Sequence, residues 1–99
     1  MFFELGDLVR VKRSFLGNPE NALGYIYDTY EDFDNSENQG VCIILHNGAD
    51  LGGFSYEEQQ SYLDKIKESG FHYEFQNVIK LSHDYQDGKF DRVFNDVSI

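Results

Sequence analysis

Short β-patterned runs separated by glycines are the sequence feature that most constrains the fold. The first run, residues 6–12 (GDLVRVK), mixes charged with apolar side chains and is followed by a turn-rich loop over residues 14–21. A second run covers residues 23–30, where Gly24 would allow a sharp bend. Runs this short, rich in Val, Ile and Tyr and broken by turns, predict the strands of a small and strongly curved sheet.

A buried strand and a hairpin are predicted next. Residues 41–45 (VCIIL) are continuously apolar, which is typical of a central strand buried on both faces. Asn47-Gly48 follows and favours a type I′ hairpin turn, because both residues tolerate the positive φ that this turn requires. The return strand, residues 49–54, contains a pair of adjacent glycines, which predicts a bulge or a corner.

One long helix is predicted after this strand. Ser55 and Glu58 have the spacing of a capping box, in which each side chain bonds the backbone N–H of the other residue. Apolar residues then recur at helical spacing, at Tyr56, Leu63 and Ile66. Gly70 supplies the left-handed residue that ends many helices, so we expect a helix of about fifteen residues.

A fifth strand and a polar tail complete the predicted elements. Large apolar residues of one parity indicate a half-buried strand over residues 71–81, and they are Phe71, Tyr73, Phe75, Ile79 and Leu81. Residues 82–99 are polar and are expected to be partly ordered. The residues that would hold this tail on the sheet are Phe90, Val93 and Phe94.

The order of these segments resembles that of SH3-like small barrels: GDLVRVK, a long first loop, GYIYDTY, GVCIILHNGADLGGFS and FQNVIKL. In such barrels five short antiparallel strands follow one another around a bent sheet. The resemblance covers residues 5–81 and implies a mainly β fold with one α-helix, an SH3-like five-stranded antiparallel barrel whose helix is inserted between strands 4 and 5. It implies architecture alone and carries over no functional residue. The whole chain, residues 1–99, is expected to form a single domain, with the barrel core at about 5–81 and the partly ordered tail at 82–99.

The charge balance argues against one class of partner. Eighteen acidic and eight basic residues give a formal net charge of −10. Nucleic-acid affinity normally depends on clustered Lys and Arg, and the one basic cluster, Arg10, Lys12 and Arg13, is small. We therefore do not expect the protein to bind nucleic acid.

A cytoplasmic location without membrane contact is predicted. Residues 1–5 show neither the basic region nor the apolar segment of a signal peptide, and no run approaches the roughly 18 apolar residues of a membrane-spanning helix. Cys42 is the only cysteine, so no internal disulfide can form, which fits a reducing compartment. Its place in an apolar run predicts a buried small hydrophobic residue.

The sequence contains no residue set with the spacing of a catalytic or metal site. His46, His72 and His83 match no metal-ligand motif and are expected at the surface. Two stretches are crowded with carboxylates, but neither has the spacing of a calcium-binding loop, and we expect both to be solvated. These carboxylates are Glu31, Asp32, Asp34 and Glu37 in the first stretch, and Asp84, Asp87 and Asp91 in the second. The sequence therefore predicts no catalytic residue, no metal ion and no cofactor.

An aromatic and acidic segment is the candidate for partner binding. Strict alternation would place Tyr25 and Tyr27 on one face of the second strand and Tyr30 on the other. Tyrosine is a frequent contact anchor in protein interfaces, and carboxylates attract basic surfaces. The candidate partner-binding residues are Tyr25, Tyr27, Tyr30, Glu31, Asp32, Phe33, Asp34 and Glu37.

Three functions fit this sequence. The first is a small acidic protein–protein interaction module that binds a basic protein, such as an inhibitor or immunity-type partner that places carboxylates where a nucleic-acid-binding enzyme holds phosphates. The second is a small-molecule-binding or enzymatic barrel with a pocket between the helix and the sheet. The third is a structural subunit without a ligand of its own.

Overall fold

A five-stranded antiparallel sheet with helices forms the described part of the protein. The computed structural model describes residues 3–15, 17–31 and 39–95. In chain order the elements are β1 (Asp7–Val11), β2 (Ala22–Glu31), β3 (Gln39–Leu45), β4 (Asp50–Phe54), α1 (Tyr56–Tyr62), β5 (Leu63–Glu68), α2 (Val78–Gln86) and α3 (Asp91–Asn95). The strands lie in the order β4-β3-β2-β1-β5. The fold is mainly β, as predicted. Within the described ranges no ladder joins β4 to β5, so the sheet is not closed into a barrel.

The hairpin between β3 and β4 is confirmed, but its turn differs from the predicted type I′. Gly48 has a φ of +90°, whereas Asn47 does not have a positive φ. The N–H of Gly48 donates to the C=O of Leu45 at 2.9 Å, and the N–H of Leu45 donates to the C=O of Ala49 at 2.8 Å. This is a three-residue loop, in which glycine takes the single left-handed position. The side chain of Asn47 instead accepts a hydrogen bond from the N–H of Ala49 at 3.0 Å.

The predicted irregularity in β4 is also confirmed. Ile43 pairs with Gly52 and Ile44 pairs with Asp50, so Leu51 is an extra residue in β4. Gly52 has a φ of +71°, which glycine adopts without steric cost.

A second bulge, in β2, decides which side chains share a face of the sheet. The pairing of β2 with β3 skips Tyr27, which is therefore an extra residue in β2. Beyond it the alternation is shifted by one position, so Asp28 and Tyr30 share a face with Tyr25. The prediction that Tyr30 lies on the face opposite Tyr25 is wrong. The inserted residue moves every later side chain of the strand to the other face.

The predicted fifteen-residue helix is wrong beyond its first two turns. Its start is confirmed, since the N–H of Ser55 donates to the Glu58 carboxylate at 2.9 Å and the N–H of Glu58 donates to the Ser55 hydroxyl at 3.2 Å. The helix ends at Tyr62, and residues 63–68 continue as β5, antiparallel to β1. This pairing satisfies backbone groups of β1 that would otherwise lie at an open edge, and it outweighs the weak apolar stripe of the predicted helix.

The predicted fifth strand over residues 71–81 is wrong as well. Residues 71–77 belong to no ladder, and α2 begins after Asn77. The Asn77 side chain accepts a hydrogen bond from the N–H of Lys80 at 2.8 Å and caps the helix. The alternating aromatic residues that suggested a strand pack against the sheet without pairing with it. They are Phe71, Tyr73 and Phe75.

Each face of the sheet carries its own hydrophobic core. The buried residues of the first core are Phe3, Val9, Val11, Ala22, Ile26, Val41, Ile43, Leu45, Phe54 and Leu63. Those of the second core are Leu8, Tyr25, Tyr27, Ile44, Tyr73, Leu81, Phe90 and Val93. Burial on both sides explains the continuous apolar run of β3, since Ile43 belongs to the first core and Ile44 to the second.

Residues 71–95, which we call the C-terminal cover, close the second core. Phe90 is fully buried, and its ring centroid lies 5.3 Å from that of Tyr25 and 5.0 Å from that of Tyr73. Val93 is buried beside them. The expectation that Phe90 and Val93 hold the tail on the sheet is therefore confirmed, while residues 96–99 lie outside the described part of the chain.

Phe90→Ala should destabilise the protein strongly, because it removes the ring at the centre of the second core. Large-to-small changes at fully buried phenylalanines cost about 3–5 kcal/mol. Chemical denaturation measures this loss, with Ile79→Ala as the control, since Ile79 is 70% exposed on the same cover. A loss below about 1 kcal/mol for Phe90→Ala would contradict this packing.

Candidate functional site

Asp84 is a buried carboxylate that links three parts of the C-terminal cover. It accepts a hydrogen bond from the Tyr73 hydroxyl at 2.5 Å and lies 3.1 Å from the Lys80 ammonium and 3.0 Å from the Lys89 ammonium. The bond from Tyr73 and the two ammonium groups hold the pKa of Asp84 well below its usual range. Burial and the same bond raise the pKa of Tyr73. The expectation that the second acidic stretch is solvated is therefore wrong at Asp84, although its neighbours Asp87 and Asp91 are exposed.

Asp7, the other buried carboxylate of the described residues, is engaged in a similar way. It lies 3.5 Å from the Lys65 ammonium and accepts a hydrogen bond from the N–H of Glu4 at 2.9 Å. Asp7 and Asp84 thus have structural partners, and these contacts hold β1 to β5 and the parts of the cover to one another.

Acid should destabilise the protein in part through Asp84. A carboxylate whose pKa is lowered by folding contributes stability above its unfolded-state pKa of about 3.9, and this stability is lost as the pH falls through the lower folded-state pKa. Asp84→Asn should lower the denaturation midpoint at neutral pH and flatten its fall below about pH 4.

Thermal denaturation across the acid range measures both effects. Asp87→Asn is the matched control, because Asp87 is exposed on the same helix end. Equal dependence of the midpoint on pH in Asp84→Asn and the unaltered protein would contradict the ion-pair role of Asp84.

Tyr25 and Tyr27, two of the predicted partner-binding residues, lie in the second core. The Tyr25 hydroxyl donates to the C=O of Phe71 at 2.5 Å and accepts from the N–H of Tyr73 at 3.1 Å. The Tyr27 hydroxyl donates to the Asp50 carboxylate at 2.9 Å. Burial raises the pKa of both tyrosines. Neither ring is available to a partner while the C-terminal cover is in place.

Tyr30 is the predicted tyrosine that reaches the surface, with 39% of its area exposed. Its ring lies across the neighbouring strands, over Gly40 in β3 and Gly53 in β4. A Cβ atom added to Gly40 would lie 2.1 Å from the ring, and one added to Gly53 would lie 2.7 Å from it. Neither glycine has a positive φ, so the two positions need glycine for the space that the ring occupies and not for a special backbone conformation.

A half-buried thiol and two carboxylates lie on the same face of the sheet as this ring. Cys42 pairs with Asp28 across β2 and β3, and with Gly53 across β3 and β4. Burial and the charges of Asp28 and Asp50 raise the pKa of the Cys42 thiol, which makes it a poor nucleophile at neutral pH. Cys42 is half-buried, so its predicted burial is only partly confirmed. We call the following set the Tyr30 face: Asp28, Tyr30, Gly40, Cys42, Asp50 and Gly53.

The remaining predicted partner-binding residues have different outcomes. Glu31 is exposed at the end of β2, next in sequence to Tyr30. Four others lie outside the described residues, namely Asp32, Phe33, Asp34 and Glu37. The hypothesis that this region binds a partner thus stays a prediction, now centred on Tyr30 in place of Tyr25 and Tyr27.

Almost all of the net negative charge of the chain comes from one stretch of the sequence. Residues 14–63 contain nine acidic residues and no Lys or Arg, whereas the rest of the chain contains nine acidic and all eight basic residues. The first stretch supplies β2, β3, β4 and α1, which we call the acid-rich half. Basic residues lie instead on or beside the neighbouring strands β1 and β5, at Arg10, Lys12, Arg13, Lys65 and Lys67.

This separation is visible in the sequence, but a comparison of the two halves of the chain hides it. Each half contains nine acidic residues, because the midpoint at residue 50 cuts through the acid-rich stretch. A sliding count of Lys and Arg would have found the fifty residues that lack both.

The described part of the chain contains neither a cluster of candidate metal ligands nor a membrane-spanning helix. His46, His72 and His83 are exposed, as predicted. Within residues 3–15, 17–31 and 39–95, no three His, Cys, Asp or Glu side chains are placed to hold a metal ion. None of the helices in these ranges is long and apolar enough to cross a membrane.

The grooves in the described part of the molecule include two that are large enough for a small molecule. One of about 240 Å³ lies between α1 and the sheet, where a pocket was predicted, and is lined by Phe15, Leu51, Gly53, Phe54 and Glu58. Its charged group, the Glu58 carboxylate, already accepts the capping hydrogen bond from Ser55. The other, of about 500 Å³, lies between residues 69–71 and α3 and has Lys89 and Arg92 in its lining.

Comparisons with known proteins give no match for this chain: no protein-family model, no curated protein and no solved structure matches it. Its function is therefore inferred from its own residues and geometry.

Proposed function

We propose that the protein is a small acidic interaction module that binds a basic protein through its acid-rich half. The observation that carries this proposal is the charge separation: nine acidic residues and no basic one in the fifty residues that supply β2, β3, β4 and α1. The stretch contains no Lys or Arg of its own, and the neighbouring Arg10 and Arg13 contact it at Asn21 and Tyr62. We expect its surplus of carboxylates to produce a negative potential over this side of the molecule. Such a field attracts and orients a basic protein as the two approach.

The Tyr30 face is the centre of the proposed interface. Interfaces are stabilised mainly by a few large side chains, among which tyrosine is common, surrounded by polar groups that set orientation. Tyr30 provides the aromatic ring, and Asp28 and Asp50 provide charge on the same face of the sheet. Glu31, the next residue of β2, alternates to the opposite face and adds charge at the exposed end of the strand.

The partner class is a protein with a cationic surface. A cytoplasmic enzyme that binds nucleic acid has such a surface, and carboxylates held on a rigid sheet can stand where the phosphates of its substrate would lie. This is the inhibitor or immunity-type role. A structural subunit would not require charge of one sign to be gathered on one side of the molecule.

We also propose that the fold is an SH3-like arrangement extended by the C-terminal cover. Two features support the likeness: β1 to β4 follow one another in the sheet, and β5 returns to pair with β1. α1 contacts both β4 and β5, at the place where a closed barrel would join them.

The groove lined by Lys89 and Arg92 favours a second candidate function, the binding of a small anionic molecule, with Arg92 as the main cation because the Lys89 ammonium is already paired with Asp84. Its volume of about 500 Å³ suits a small ligand, and Phe71 and Val93 add apolar lining. Inorganic phosphate or an aromatic carboxylate would then shift the amide NMR signals of residues 69–71 and leave those of the Tyr30 face unchanged.

The proposed function predicts that loss of charge in the acid-rich half weakens partner binding far more than the same loss elsewhere. The test compares the double variant Asp28→Asn, Glu31→Gln with the control Glu4→Gln, Glu68→Gln, whose positions lie beside a groove at the β1–β5 side. Basic proteins captured at low salt from a lysate of the source organism should dissociate about tenfold more readily from the first variant.

Stopped-flow association of the captured partner completes the test. Its rate constant should fall steeply as salt is raised, because screening shortens the range of the field. Equal weakening in both double variants, or association that salt leaves unchanged, would contradict the proposal.

A further inference from the structure

We propose that the exposed side of the Tyr30 ring binds an arginine side chain of the partner, and we call this site the arginine seat. This inference rests on the proposed function, since it names the group of the basic partner that the Tyr30 face recognises. The proposed site consists of the ring as a platform and the carboxylates of Asp28 and Asp50 on the same face of the sheet.

The platform is built by sterics. Gly40 and Gly53 leave no side-chain atoms between the Tyr30 ring and the backbones of β3 and β4, so the ring lies flat across three strands. A side chain at either glycine would collide with the ring and lift it from the sheet. One side of the ring is thus occupied by backbone, while 39% of the residue's area faces solvent. A tyrosine held in this way presents its π-face instead of its edge.

The chemistry of this surface suits a cation. The face of an aromatic ring carries the negative part of its quadrupole and attracts Lys or Arg placed over it. Asp28 and Asp50 lie on the same side of the sheet as Cys42, and burial together with their charges raises the pKa of the Cys42 thiol. An anionic group would be repelled by these carboxylates, and a neutral donor would gain less from them than a cation does.

A guanidinium fits better than an ammonium. Guanidinium is planar, stacks on aromatic rings and donates several hydrogen bonds in its own plane, where carboxylates can accept them. The protein uses the same pairing within its own fold, where the Arg13 guanidinium carbon lies 5.7 Å from the centroid of Phe15 and 5.5 Å from that of Tyr62. At the Tyr30 face the chain provides the ring and the acids, and the partner would provide the cation.

The test uses two synthetic peptides of equal length and charge, in which glycine and serine separate either arginines or lysines. Fluorescence anisotropy at low salt measures their affinity for four forms of the protein: unaltered, Tyr30→Leu, Tyr30→Phe and Tyr85→Leu. The unaltered protein should prefer the arginine peptide by about two- to fivefold. Tyr30→Leu should lose this preference while both peptides still bind, and Tyr30→Phe should keep it.

Tyr85→Leu is the matched control, because the Tyr85 ring also packs on a glycine, Gly48, but belongs to the C-terminal cover. It should keep the arginine preference. NMR spectroscopy of the unaltered protein gives a test in which no substitution can disturb folding. The arginine peptide should shift the ring proton signals of Tyr30 more than the lysine peptide does.

The outcomes separate the two proposals. Salt-dependent binding of both peptides with the same arginine preference in Tyr30→Leu, or unshifted Tyr30 signals, would overturn the arginine seat and leave the proposed function standing. Failure of both peptides to bind at low salt would overturn the proposed function, and the seat with it.

Discussion

The packing of Phe90 against Tyr25 on the second face of the sheet is the contact on which the rest of the structure depends. Five short strands with one buried face make a marginal core, because so small a sheet removes little apolar surface from water. Here the second face is apolar as well, and the C-terminal cover must bury it. The ring of Phe90 contacts Tyr25, Phe71 and Tyr73, which joins the cover to the centre of β2. The Asp84 ion pairs then hold the parts of the cover in register with one another.

The C-terminal cover, held by the packing of Phe90 on Tyr25, buries one part of the second face and leaves another part exposed. Tyr25 and Tyr27 lie under the cover, with their hydroxyls bonded to Phe71 and Asp50. Tyr30, farther along β2, lies at the surface and rests on two glycines. The bulge at Tyr27 turns Tyr30 to this face, which also carries Asp28 and Asp50. Sequence, strand geometry and charge therefore converge on one exposed aromatic residue.

Much of the sheet could be predicted from the sequence because its signals are local. Strands β1 to β4, the glycine turn at Gly48 and the capping box of Ser55 and Glu58 are each specified by residues within a few positions of one another. β5 could not be predicted in this way, since it is stabilised by β1, more than fifty residues earlier in the chain. Residues 71–77, before α2, alternate as a strand would but do not pair with the sheet, so their sequence pattern predicts a strand that is not there.

The candidate site stays a prediction, and the structure changes which of its residues are exposed. Its general location at the end of β2 and its acidic character follow from the sequence, and Tyr30 and Glu31 are exposed there. The burial of Tyr25 and Tyr27 depends on a cover that is distant in sequence, and the orientation of Tyr30 depends on a single extra residue in the β2–β3 pairing. Periodicity cannot reveal a bulge, because the alternation on each side of it is regular.

Amide hydrogen exchange, measured with and without the arginine peptide, tests most directly whether the Tyr30 face is the binding surface. The account predicts that the peptide slows exchange in residues 28–31, 40–42 and 53 and leaves β5 and the C-terminal cover unchanged. Protection confined to β5 or to the cover, or no protection at a peptide concentration that saturates binding, would contradict it.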